Sequence, residues 1–312
     1  MKPRVIQIGR LQASTEQALA AEFDVHPLWR ETDPAAFLAK EGDTFVGLAT
    51  SVRFGADAKL MDALPKLRVI SNFGVGYETI DVEAAKKRGI TVANTPDVLT
   101  DCVADLAIGL AIDVARGISA AERFVRRGDW LKAQFPLQTR FSAKRLGILG
   151  LGRIGRAIAK RAEGFDMQIR YYNRRPVEGA SYGYAASFPE LARWADFLVV
   201  AAAGGAATRS LVSAEVLDAL GEKGFLVNIA RGSVVDEPAL VRALTERRIG
   251  GAALDVFVDE PNVPLALMEL DNVVLLPHIA SGTHETRAAM GNLVVENLRA
   301  FFSTGRVVTP VV

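Results

Sequence analysis

The stretch Gly147–Gly155, GILGLGRIG, constrains the fold of this chain more than any other. An apolar run, RLGIL, leads directly into Gly150, Gly152 and Gly155 at the spacing G-x-G-x-x-G, and the helical pattern RIGRAIAKRAEGF follows at once. Strand, tight turn and helix start in that order form a phosphate-binding entry to a parallel α/β sheet. Gly150 permits the turn, Gly152 lets the backbone approach a pyrophosphate, and Gly155 lets helix and strand pack closely. The helix start adds unpaired N–H donors for the phosphates. A glycine-rich turn without a ligand is the plain alternative, and the strand before and helix after weigh against it.

The rest of the chain repeats this alternation of short β-branched runs and helical patterns, the signature of parallel strands joined by crossover helices. Candidate strands in the first third are RVIQIG, TFVGLAT, LRVISNF and ITVAN, with the helical segments ADAKLMDAL and DVEAAKKR among them. From NTPD onward, Thr100 or Asp101 is placed to cap one long Ala/Leu-rich helix to about Arg127. A second set of strands follows: RLGILG, QIRYYN, FLVVAA, FLVNIA, GAALDVF and VVLLP, and a last helix is expected over about Glu285–Phe302. This predicts one α/β domain near the N-terminus and a larger one beginning near residue 97.

Composition narrows the partners. The 312 residues are 50% hydrophobic, enough for about two domain cores, and 37 basic against 36 acidic side chains leave no net field for nucleic acid or an anionic membrane. Any anion site must be local. Cys102 has no partner for an intramolecular disulfide, and MKPRVIQIGR carries no apolar signal region, so a cytoplasmic location is the expectation. The run VADLAIGLAIDVARGI includes Asp105 and Asp113 and is too short to span a bilayer, which makes it a buried helix.

The stretch RYYNRRP, Arg170–Pro176, stands where dinucleotide-binding folds place an acid for the ribose hydroxyls of NAD. Here Asn173, Arg174 and Arg175 occupy that place. A neutral Asn removes the repulsion of a 2′-phosphate, and a guanidinium can clamp one with charge-assisted bonds. NADPH, preferred over NADH, is the expected cofactor, with a solvated basic loop as the alternative.

Three more segments put polar groups just past apolar strands, at the edge where open α/β sheets bind ligands. They bring in Arg231, Glu260 and His278, a set suited to holding a carboxylate and moving a proton. Of the other two histidines, His26 reads as a strand or turn residue and His284 as the start of the last helix. No His/Cys cluster has metal-ligand spacing, and no metal is expected.

In order and spacing, NTPDVLTDCVADLAIGL, GILGLGRIG, NIARG, LDVFVDEP and LLPHIASGT resemble the D-isomer-specific 2-hydroxyacid dehydrogenases, nearest to the NADPH-dependent glyoxylate, hydroxypyruvate and hydroxyphenylpyruvate reductases. The resemblance implies two Rossmann-like or flavodoxin-like parallel-sheet α/β domains with an interdomain active-site cleft that closes on substrate. It assigns residues 1–96 plus 286–312 to substrate binding, and residues 97–285 to a Rossmann domain whose long helix builds a homodimer. His278 becomes the general acid/base, Glu260 its partner and Arg231 the group on the substrate carboxylate and keto oxygen. Val75 and Gly76 add backbone N–H groups for that carboxylate; Val52, Arg53, Phe54 and Phe73 are pocket candidates by position. Cofactor contacts are implied at Gly150, Leu151, Gly152, Arg153, Ile154, Gly155, Asn173, Arg174, Arg175, Thr208, Ile229, Ala230, Asp255, Ser281 and Gly282. One departure is Ala202–Thr208, AAGGAAT, where relatives carry a Pro-containing loop. The implied reaction is reduction of a small 2-oxo acid, of the glyoxylate, hydroxypyruvate or phenylpyruvate type, to the D-2-hydroxy acid. An NAD-dependent 2-hydroxyacid or phosphoglycerate-type dehydrogenase is one alternative, and a cofactor-sensing corepressor or scaffold is another.

Overall fold

Short apolar runs form the central strands with both faces covered, as crossover helices require of a parallel sheet. A computed structural model describes residues 1–312, which divide into one unit of Met1–Leu99 with Thr283–Val312 and another of Thr100–Gly282.

The first unit holds β1 (Arg4–Gln7), β2 (Asp24–Pro27), β3 (Gly47–Ser51), β4 (Val69–Phe73) and β5 (Thr91–Ala93), all parallel in the order β2-β1-β3-β4-β5. That is the flavodoxin-like order. Strand β2 lies within FDVHPLW and carries His26, a strand residue at the sheet edge. Asp57 and Asp81 cap the helices Ala58–Asp62 and Val82–Lys87 by accepting from Leu60 and Ala84 N–H. The final helix, His284–Thr304, is capped by Thr283 and packs on β4, and the tail bridges back to β5 through Ala93 and Pro310.

The second unit holds β6 (Arg145–Leu149), β7 (Gln168–Tyr172), β8 (Gly183–Tyr184), β9 (Phe197–Val200), β10 (Phe225–Asn228), β11 (Gly251–Leu254) and β12 (Val273–Leu275), all parallel. Their order, β12-β11-β10-β9-β6-β7-β8, is the doubly wound Rossmann arrangement, with its reversal between β6 and β9. The two-residue β8 has no counterpart in the sequence reading, because it is too short to show a period.

The expected long helix is corrected. It runs over Thr100–Arg116 and stops at Gly117, whose φ of 60° is left-handed, before a separate helix over Ile118–Arg126. Asp113 spans the break by accepting from both the N–H and the hydroxyl of Ser119. The first helix is core, packed on the helix Arg153–Glu163 and on β10 and β11, whereas the second has no buried residue. Asp105 of the first helix faces outward to Arg161. No helix is long and apolar enough to cross a membrane.

Candidate active site

In the second unit the glycine loop joins β6 to the helix Arg153–Glu163. A β-carbon on Gly155 would stand 2.1 Å from the Gly150 carbonyl oxygen, so helix and turn meet at a distance only glycine allows. Gly152 is exposed with open space where a side chain would be, and the helix start has neither a side-chain cap nor an acid in its first turn. The loop is tied to the end of β7 by two bonds, Gly150 N–H to the Tyr172 carbonyl at 3.0 Å and Leu151 N–H to Asn173 Oδ1 at 2.7 Å. Leu151 itself is buried. Arg174 and Arg175 are exposed, neither meets a carboxylate, and with Asn173 they line a concavity of about 620 Å³. Open donors at the helix start and unpaired guanidinium groups beside them fit the phosphates of a phosphorylated dinucleotide.

Past the carboxyl ends of β10, β11 and β12 stand Arg231, Glu260 and His278. Asn228, buried at the end of β10, shapes the first turn: its Oδ1 accepts from Ala230 N–H at 3.1 Å and its Nδ2 donates to the Arg231 carbonyl at 3.0 Å. Arg231 also donates through Nη1 to the Ala230 carbonyl. A β-carbon on the next residue, Gly232, would lie 1.9 Å from the Phe257 carbonyl carbon. The Arg231 turn therefore rests directly on the backbone that leads to Glu260.

Glu260 accepts from Phe257 N–H through Oε1 at 3.1 Å and meets His278 Nδ1 through Oε2 at 2.7 Å. Burial opposes its charge, but the bonds from His278 and Phe257 and the nearby charges of His278 and Arg231 outweigh it and hold the carboxyl below its ordinary range. The Glu260 carboxylate is therefore ionised at neutral pH, and the stability this contributes is lost as pH falls through that lowered value. Over a third of each side chain stays open, 37% for His278 and 36% for Glu260, which leaves the imidazole Nε2 edge available to a ligand.

His278 has a φ of 55°, a left-handed conformation that costs a non-glycine residue roughly 1–2 kcal/mol. Asp255 holds the chain there, accepting from Ile279 N–H at 2.7 Å and Ala280 N–H at 2.8 Å. It is fully buried, and burial pushes its carboxyl above the ordinary value. Asp255 thus shapes the His278 loop. Ser281 and Gly282 continue that loop, with Gly282 N–H donating to the Ile279 carbonyl. Ile229 is buried and Ala230 partly so in the Arg231 turn. In the loop after β9, Thr208 Oγ1 donates to the Ala203 carbonyl at 2.8 Å, which closes AAGGAAT without a proline.

The first unit carries a loop after β4 whose carbonyls are held by neighbouring side chains and backbone. Asn72 Nδ2 donates to the Gly76 carbonyl, Asn94 Nδ2 to the Val75 carbonyl and Thr95 N–H to the Gly74 carbonyl, while Gly74 N–H donates to Thr95 Oγ1. With these carbonyls occupied, the N–H groups of Val75 and Gly76 donate to no other group of the protein. Val52 and the exposed Phe54 follow β3 in the same unit, and Phe73 ends β4 buried. Sequence reasoning gave no role to Asn72, Asn94, Thr95 or Asn228. Their signal was a polar residue at the end of an apolar strand, buried here to below a tenth exposure. Nowhere do three His, Cys, Asp or Glu side chains gather as a metal site would need.

Comparison with known proteins agrees with this architecture. Residues 108–280 match the family model described as "D-isomer specific 2-hydroxyacid dehydrogenase, NAD binding domain". A hydroxyphenylpyruvate reductase of Plectranthus scutellarioides is 49% identical over 99% of this chain and 98% of its own length. A glyoxylate/hydroxypyruvate reductase of Arabidopsis thaliana is 47% identical over 99% of this chain and 98% of its own. Among solved structures, the NADPH-dependent glyoxylate/hydroxypyruvate reductase of Sinorhizobium meliloti, in complex with NADP and malonate, is 44% identical with a TM-score of 0.92, covering 100% of this chain and 97% of its own. A chain so similar along its whole length, with the two parallel sheets and the glycine loop in place, belongs to the D-isomer-specific 2-hydroxyacid dehydrogenase family.

Proposed function

We propose that this protein is an NADPH-dependent reductase that converts a small 2-oxo acid to its D-2-hydroxy acid. The observation that carries the reading is the His278–Glu260 pair at 2.7 Å, with the Arg231 charge beside it, on the same sheet edge as the glycine loop. The cofactor, when bound, supplies hydride to the keto carbon. His278 supplies the proton to the developing alkoxide from Nε2, because Nδ1 is committed to Glu260. Glu260 orients the ring through its bond to Nδ1. Arg231 offers a fixed cation to the carboxylate and the polarised oxygen. Gly152, Arg153, Ile154 and Gly155 form the pyrophosphate turn, Arg174 and Arg175 take the 2′-phosphate, and Leu151 serves by shaping the turn.

The second unit acts as the dinucleotide-binding domain and the first as the substrate domain, with Val75 and Gly76 N–H as carboxylate donors. Support for the cofactor comes from the unpaired Arg174 and Arg175 and from the NADP bound to the Sinorhizobium meliloti relative. Steady-state kinetics with glyoxylate, hydroxypyruvate and phenylpyruvate, each with NADPH and NADH, tests the reading. NADPH-dependent turnover is expected. A protein that binds NADPH yet turns over no 2-oxo acid would overturn it in favour of a sensing role.

The protein acts as a homodimer. Ile118, Val125, Trp130, Leu131 and Leu137 are large apolar side chains all exposed within twenty residues, and their burial in a partner supports this reading. Sedimentation is expected to give twice the chain mass, and a single-chain mass at micromolar concentration would refute the assignment.

A further inference from the structure

The sheet of the first unit ends at β5, and an edge strand leaves a row of backbone groups to be paired. The segment after the last helix supplies partners. Gly305, with a φ of 77°, turns the chain back at the helix end, and Pro310 comes to pair antiparallel with Ala93. Val311 N–H donates to the Val92 carbonyl at 2.7 Å, and Val92 N–H to the Val312 carbonyl at 2.9 Å. Beyond the strand end, Asn94 N–H donates to the Thr309 carbonyl at 3.3 Å.

A single amide locks this arrangement. Asn297, on the last helix, is fully buried. Its Oδ1 accepts from Val308 N–H at 2.9 Å and Thr309 N–H at 3.0 Å, while its Nδ2 donates to Thr309 Oγ1 at 2.9 Å and to the Asn94 carbonyl at 3.3 Å. Both acceptor and both donor positions of the amide are thereby used. The Thr309 hydroxyl donates in turn to the Asn94 carbonyl at 2.6 Å. Asn94 is thus held at its N–H and at its carbonyl, and its side chain reaches the loop after β4, donating through Nδ2 to the Val75 carbonyl at 2.8 Å. Thr95, the next residue, donates its N–H to the Gly74 carbonyl at 2.9 Å. Because a trans peptide is planar, a carbonyl held on one side fixes the direction of the N–H on the other. The Gly74 carbonyl sets the Val75 N–H, and the Val75 carbonyl sets the Gly76 N–H.

We propose that Asn297 and Thr309 are positioning residues for the substrate: acting through Asn94, they fix the two backbone N–H groups that receive its carboxylate. The inference rests on the reading of Val75 and Gly76 as carboxylate donors, and two readouts separate them. KM and kcat for glyoxylate, the NADPH dissociation constant, and hydrogen exchange at Gly74 and Thr95 are measured on wild type, Thr309→Val and Thr309→Ser. Thr309→Val keeps the side-chain shape without the hydroxyl. It is expected to raise KM for glyoxylate about tenfold, the scale of one hydrogen bond to a charged group, with kcat and NADPH binding unchanged and with faster exchange at both amides. Thr309→Ser, which restores the hydroxyl, is expected to match wild type. Thr309→Ala replaces the valine variant should that one not fold. Unchanged exchange and KM overturn the inference, as does a lower kcat or stability at wild-type KM, the mark of a purely structural role. An equal effect in Thr309→Ser also overturns it, since the hydroxyl would then not be the agent. Faster exchange with KM and kcat both unchanged overturns instead the assignment of the loop to the carboxylate.

Discussion

His278→Ala is expected to lose at least about two orders of magnitude in kcat, the scale of a positioned general acid, while still binding NADPH. The ring is not needed to hold the fold. Its partner Glu260 keeps the Phe257 N–H, and Asp255 keeps the loop through Ile279 and Ala280 N–H. Fluorescence titration of cofactor and rate measurement on the same variant separate binding from chemistry, and near-normal turnover would remove His278 from the role. Glu260→Gln is a subtler probe. With the carboxylate gone, Nδ1 loses its charged partner, and the pH at which reduction falls off should move lower. An unchanged profile would count against the pair as a proton-holding unit, whatever the effect on rate.

Arg174 and Arg175 carry the second large expectation. Each hydrogen bond to a charged group contributes roughly 1.5–3 kcal/mol, and about 1.4 kcal/mol is a factor of ten. Either alanine variant should raise KM for NADPH about tenfold, and the double variant about a hundredfold, with little change for NADH. Because both side chains are exposed and unpaired, their loss should leave the fold intact, so the selective effect can be read without a stability correction. Equal losses for both cofactors would assign the arginines to general support of the loop. Arg174 is expected to matter more, as it follows directly on the residue tied to the glycine loop.

Local pattern carried most of the architecture. The strands from RVIQIG to VVLLP, the strand-turn-helix at Gly150–Gly155 and the polar residues past β10, β11 and β12 all stood out because a buried parallel strand is a short apolar run. A chemistry-bearing residue just beyond such a run is conspicuous. The pattern was weaker where it was short or mixed. DVHP and the two residues of β8 are edge strands with little periodicity, and the helix after NTPD keeps its apolar rhythm through Gly117 although the backbone turns there.

What the sequence by itself determined, then, is the class of fold, the phosphate-binding turn and the residue types available to the chemistry, because these follow from spacing within about ten residues. Only the tertiary structure decided which groups hold those residues in place. Asp255 meets the backbone 24 positions later, Leu151 N–H finds its acceptor 22 positions later in Asn173, and Gly232 rests on Phe257. Crossover connections bring the ends of strands together across a helix, so the partners of a strand-end residue are set by strand order. Strand order is settled by packing of the whole sheet, which no single stretch of the chain contains.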